Sequence, residues 1–379
     1  MVDWDLAVAT ANRFVRPGPD VSGGQAREVV TELRENARRS EGLVRSFTGL
    51  RAQAATAPVM VVDRPGWVQA NADGFRTIMQ PLVAKIVDQR GTPSPASAAI
   101  GSRITGLEAG ALLGYLSGKV LGQFDPFWPG ERSAESAGMQ GQTGPTGHAD
   151  TDAEPSFGKQ VVPSAVGRLL LVAPNIVHVE RELGVDPHDF RLWVCLHEET
   201  HRVQFTAVSW MRDHLHNEIR ALIDATDFDV SRLAAMARDG LEQAGRLMRG
   251  DEDVSLIDLF QTRAQREIVD RITATMSLLE GHADVVMDGV GPEVIPSVAV
   301  IRQKFDKRRK GGGSLDQLLR RLLGFDAKMK QYRDGAVFVR GVVDRVGMEG
   351  FNRVWTSPNT LPSKAEIGDP AAWVRRVHG

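Results

Sequence analysis

The sequence predicts a mainly α protein of α+β type, with a small β-sheet set among many helices. Three observations predict it. Apolar residues recur at the three-to-four spacing of an amphipathic helix in long stretches, as in Ala26-Val29-Val30-Leu33. The runs that read as strands are short: 58–63, 120–125 and 168–174. One strongly apolar helical stretch carries His197-Glu198-Glu199-Thr200-His201, polar groups that would be costly to bury unless paired or bound to something.

The elements follow in order. Residues 1–55 read as helical, with Asp20 or Ser22 as a cap ahead of Ala26. Pro58 to Asp63 is a strand or an extended connector, stopped by Arg64-Pro65-Gly66. A helix is expected over 71–89, then a loop of small residues and proline over 90–103. From 106 to 122 glycine falls at every fourth position, which on a helix makes one smooth face for close backbone approach. Glu108 and Lys119 in that stretch argue against a lipid span. Residues 128–164 are rich in Gly, Ser, Thr, Pro and acids, too polar to offset their ordering entropy, and read as a flexible insertion. The runs 120–125 and 168–174 would pair antiparallel across it. Asp186-Pro187 starts a helix expected to continue beyond His214. A further helix is expected over 255–287, and two more over 315–329 and 335–346. We read residues 1–379 as one domain: an N-terminal helical region over 1–127, the insertion over 128–164, a metal-binding core over 165–290 and a C-terminal helical region over 291–379.

The balance of charges excludes some functions. A net charge of −2 supplies no broad basic field, so nucleic acid is not an expected partner. The basic run Lys304 to Lys310 reads as a solvated loop. Cys195 is the single cysteine, so neither an intramolecular disulfide nor a cysteine metal cluster can form. The N-terminal Met1-Val2-Asp3-Trp4-Asp5 shows no apolar signal core, and a cytoplasmic location is expected.

His197 and His201 stand four apart, which puts both imidazoles on one helix face where they can grip one metal ion. Glu198 beside them can take a proton from a water that the metal activates. The pattern is H-E-x-x-H, whose mechanics are those of zinc metalloproteases. A catalytic zinc needs a third protein ligand and an open position. In zincins with the extended motif a third His stands six residues after the second; here that residue is Ala207, which excludes that subclass. The best candidate is Glu280 in Leu278-Leu279-Glu280-Gly281-His282-Ala283-Asp284. Asp284, one turn on, could accept a proton from a ligand imidazole. This Glu-x-x-x-Asp pairing is that of the gluzincin subclass. His282 is the rival ligand, although on a regular helix it points to another side. Cys195 reads as a small buried hydrophobe. For the developing oxyanion, Tyr332 is the first candidate and Arg340 a weaker one; Tyr115 is the other tyrosine.

With these residues in hand the chain resembles the zincin-like hydrolases of high-GC bacteria, a zinc-dependent metalloprotease family some of whose members are labelled as associated with deazaflavin coenzyme biosynthesis. The matching segments are residues 2–5, 61–68, 120–123, 170–175, 197–205, 280–284 and 350–355, which together are far more specific than H-E-x-x-H alone. The resemblance implies a zincin-like fold with His197, His201 and Glu280 as zinc ligands and Glu198 as the base. The insertion departs from the family in length. The expected function is a gluzincin-type zinc hydrolase, a metallopeptidase acting on a peptide or small amide substrate. The alternatives are a zinc hydrolase of a small non-peptide amide or ester, and a catalytically silent binding module.

Overall fold

The structure is a computed structural model that describes residues 2–51, 57–91, 94–128, 130, 167–226, 262–310 and 325–379. It is mostly helical with one three-stranded sheet. The expected insertion lies almost wholly outside the described residues, as do 255–261 of one expected helix and 315–324 of another.

The sheet has the order β1-β3-β2, with β1 Val59–Val62, β2 Gly122–Asp125 and β3 Arg168–Val172. β1 runs parallel to β3, Val59 opposite Leu169 and Val62 opposite Val172. β2 runs antiparallel to it, Gly122 opposite Leu171 and Asp125 opposite Arg168, the pairing expected across the insertion. β3 is buried along its whole length because both faces are covered, which explains its unbroken apolar run. Leu171 joins a core with Val29, Leu33 and Leu196. Leu170 and Val172 join the opposite one, with Ala11, Trp67 and Leu113. Each such aliphatic side chain contributes about 1.5–3 kcal/mol on burial.

Helix α1 (Trp4–Phe14) and α2 (Gly23–Thr48) open the chain, and Ser22, not Asp20, caps α2 in a capping box with Gln25. The helix expected over 71–89 is two helices, α3 (Arg64–Ile78) and α4 (Gln80–Arg90), with Pro81 at the start of the second. The expected loop 90–103 is largely helix: α5 spans Pro95–Ser117 and is capped by Ser94. The glycine stripe divides by role. A Cβ at Gly106, Gly110 or Gly114 would meet the backbone carbonyls of Asp3, Ala7 or Ala11 on α1, whereas Gly118 is the C-cap and Gly122 belongs to β2.

Helix α6 (Ala173–Leu183) leads to α7 (Pro187–Ala207), which Asp186 caps through the Asp189 amide. α7 ends before His214. Val208 leaves helical geometry (φ −104°, ψ 88°), and α8 (Met211–Ala225) begins after Trp210, whose indole donates to the Trp355 carbonyl. The sequence hides this break because Val203, Met211 and Leu215 keep helical spacing across it.

Helix α9 (Arg263–Val294) is capped by Thr262, and α10 spans Val298–Lys310. The basic run expected as a loop is therefore helical, and Lys304 donates to the carbonyls of Leu183 and Gly184 at the end of α6. Helix α11 (Phe325–Phe351), kinked at Gly347 (φ 70°, ψ 173°), replaces the break expected near 330–334. Gly335 is not a helix start but a crossing point, since a Cβ there would run into the Ser277 carbonyl on α9. The short α12 (Lys364–Ile367) and α13 (Pro370–His378) close a third core around Phe338, Phe351 and Trp373. Among the described residues no helix is long and apolar enough to cross a membrane.

Candidate metal centre

α7 packs on β2 and β3 on one side and meets α9 on another. That crossing brings together residues about eighty positions apart. His197 Nε2 and His201 Nε2 stand 3.3 Å apart, and Glu280 Oε2 lies 3.6 Å from the first and 3.5 Å from the second. The side chains keep 28%, 13% and 15% of their surface, so the group is largely but not completely buried.

This triangle fits one divalent ion. With metal–ligand bonds of ~2.0–2.1 Å, two ligands of a tetrahedral zinc sit ~3.3–3.4 Å apart. Two imidazoles and a carboxylate are a donor set suited to zinc, and three protein ligands leave a fourth position for water or substrate. Among the described residues, these three are the His, Cys, Asp and Glu side chains close enough together to hold a metal.

Glu198 is nearly buried, with its carboxylate against the bare Cα of Gly122 in β2. In the metal-free chain burial pushes Glu198 up to about 8, with His201 opposing and Glu280 and Glu199 adding to the rise. For His201 burial opposes the charge, but Glu280, Glu198 and a bond to Gln204 outweigh it and lift the ring to about 9. The centre therefore retains protons that a cation would displace.

Glu199 points the other way. It pairs with Arg202, which also reaches Glu41 on α2 and the Ala57 carbonyl, so this charged network anchors the back of α7. Cys195 is buried against the Leu33 carbonyl, as expected of a small hydrophobe.

Other candidates are placed elsewhere. Asp284 turns to Arg302, at 3.3 Å, rather than to an imidazole. The hydrogen-bond partner of His201 is instead Gln204, whose Oε1 lies 3.0 Å from Nδ1. His282 is completely buried, stacked on Phe351, and burial followed by the charge of His201 lowers it to about 3. A neutral ring packed in that core is a structural group, not a ligand. Arg340 pairs with Asp288. Lys119 stands over the Tyr115 ring. Tyr332 falls within α11, and its side chain lies outside the described residues. His214 and His216 sit on α8, beyond the break.

Sequence reasoning missed Gln204 and Gly122. Gln204 carried a usable signal, since it stands three residues after His201 on the same helix. Gly122 carried none that pointed to Glu198, because its neighbour is brought in by the sheet.

An H-E-x-x-H helix that rests on a small sheet and crosses a second helix carrying a Glu beside both imidazoles is the arrangement of the zincin class. The model of the zincin-like metallopeptidase family matches residues 2–374, and the chain belongs to that family. Its structure is similar to the crystal structure of a provisionally assigned hydrolase with a novel fold from Chloroflexus aurantiacus. The TM-score is 0.66 at 27% identity, over 100% of this chain and 99% of that one. None of the curated proteins compared with the chain matches it.

Proposed function

We propose that the protein is a zinc-dependent hydrolase of gluzincin type that cleaves a peptide or amide bond, with His197, His201 and Glu280 holding the zinc and Glu198 as general base. The observation that carries this reading is the 3.3–3.6 Å triangle of ligand atoms with a buried carboxylate on the neighbouring residue. Membership of a metallopeptidase family supports the hydrolytic chemistry.

When bound, zinc would act as a Lewis acid that acidifies water and polarises a carbonyl. His197 and His201 contribute neutral nitrogen donors, and Glu280 contributes the one negative charge. Glu198 ionises more readily beside a cation than in the metal-free chain. Its carboxylate then accepts a proton from the attacking water and returns it to the leaving nitrogen. The Cα of Gly122 limits how far that carboxylate can swing away. General acid–base work of this kind is worth about 10²–10⁴ in rate.

The test is zinc content and hydrolysis of peptide libraries and small amides by the wild type and by Glu198→Gln. Stoichiometric zinc in both, with hydrolysis lost in the variant, supports the reading. Undiminished hydrolysis by Glu198→Gln overturns the mechanism. Turnover of small amides or esters but not of peptides would assign a non-peptide substrate. Zinc binding without any turnover would indicate a binding module.

A further inference from the structure

A buried amide links the two helices that carry the ligand residues. Gln204 is fully buried on α7, one turn beyond His201. Its Nε2 donates to the Leu279 carbonyl at 2.9 Å and lies 2.9 Å from His282 Nδ1. A backbone carbonyl can only accept, so the nitrogen end of the amide has to face Leu279. The oxygen end is then committed to His201 Nδ1, at 3.0 Å. An amide oxygen can only accept as well, so His201 Nδ1 has to carry a hydrogen. In the neutral ring that leaves Nε2 bare, and Nε2 is the atom facing His197 and Glu280. On the other side, the second amide hydrogen serves His282 Nδ1, so His282 accepts there. Leu279 and His282 flank Glu280 on α9, so Gln204 grips that helix on both sides of the third ligand.

An amide is suited to this place. A carboxylate at 204 could accept from His201, but it would set a charge against the Leu279 carbonyl and add an anion beside Glu198 and Glu280. A hydrocarbon would leave the Leu279 carbonyl without this donor and both imidazole nitrogens without a partner.

We propose that Gln204 is a positioning residue: oriented by the Leu279 carbonyl, it locks His201 in the Nδ1–H tautomer and sets the separation of the two ligand-bearing helices. The proposal rests on the zinc reading above. Its consequence is for metal affinity before it is for turnover.

The experiment measures zinc dissociation constants by competition with a chromophoric chelator, on the full chain, for the wild type, Gln204→Leu and Thr206→Val. Thr206 is also buried on α7, but its hydroxyl bonds to the Arg202 carbonyl, so that variant samples loss of a buried polar group away from the ligands. Gln204→Leu is expected to weaken zinc binding roughly 10- to 100-fold, as loss of such supporting partners does elsewhere, and Thr206→Val to leave it unchanged. Wild-type affinity in Gln204→Leu overturns the proposal, and so does an equal loss in both variants. A wild type that takes up no zinc overturns the zinc reading and the affinity role with it. Histidine ¹⁵N spectra of the metal-free wild type, recorded as pH is raised until the His201 ring signals stop shifting and the ring is neutral, decide the tautomer without any variant. An Nδ1–H ring supports the proposal and an Nε2–H ring overturns it.

Discussion

Gly122 and Glu198 are in direct contact: a Cβ on the glycine would lie 2.5 Å from Cγ and 2.7 Å from the carboxyl carbon of the glutamate. The strand thus forms the wall that holds the carboxylate beside the candidate metal centre. Gly122→Ala should push Glu198 out of place while leaving His197, His201 and Glu280 alone. We expect kcat to fall roughly 10- to 100-fold, the scale of an ångström-sized misplacement, with zinc content unchanged. Steady-state kinetics and metal analysis check this, and an unaltered kcat would show that the carboxylate relaxes freely.

The pH dependence of stability in chelator-treated protein has a defined sign. Glu198, Glu199 and His201 are raised to about 8, 7 and 9, above ordinary values of 4.5, 4.5 and 6.5. At each of them the folded chain binds protons that the unfolded chain has lost, so its stability falls as pH rises. His282, lowered to about 3, acts in the opposite sense, but only below its ordinary 6.5. Between pH 6.5 and about 9 the metal-free protein should therefore lose stability with rising pH. Zinc affinity should strengthen over the same range, because binding displaces a proton from His201. Urea unfolding in chelator at several pH values measures the first; a rise in stability across that window would contradict it.

The crossing of α9 and α11 depends on two glycines. A Cβ at Gly335 would enter the Ser277 carbonyl, and one at Gly281 would enter the backbone of Gly335. Either alanine substitution should cost about 1–3 kcal/mol, the usual range for overpacking. The double variant should cost less than the sum, because both methyls force the same separation. Gly281→Ala should also weaken zinc binding, since Glu280 is the preceding residue. Urea unfolding and the chelator competition read these effects, and additivity would count against a shared cause.

Cys195 should be inert in the folded protein. It is completely buried, and burial, then Glu199 and Glu198, raise its pKa well above normal. The thiolate is the reactive form. Iodoacetamide should leave it unmodified until denaturant is added, as mass spectrometry would show. Rapid native-state labelling would mean that α7 opens readily from α2.

The legible features of the sequence were those governed by local rules. The caps Ser22 and Asp186, the apolar β3 run and the four-residue spacing of His197 and His201 each act within one or two turns of chain. Breaks were harder. The end of α7 at Val208 and the join between α3 and α4 keep apolar periodicity across them, so the pattern reads straight through. Glycine misled for the opposite reason. Gly335 looks like an interruption by propensity, yet it lies within a helix where the gain is close approach to α9.

The sequence by itself determined the chemistry available at the centre: two imidazoles on one helix face, a carboxylate beside them and no cysteine ligand set. Only the tertiary structure decided what those groups face. It carried Glu280 to within 3.6 Å of both imidazoles, turned Asp284 away to Arg302, put Gln204 behind His201 and set Gly122 against Glu198. The physical reason is that spacing along a helix defines which groups share a face, whereas the partner across that face is chosen by how whole helices and strands pack. That choice depends on cores and crossing points tens of residues away from the motif.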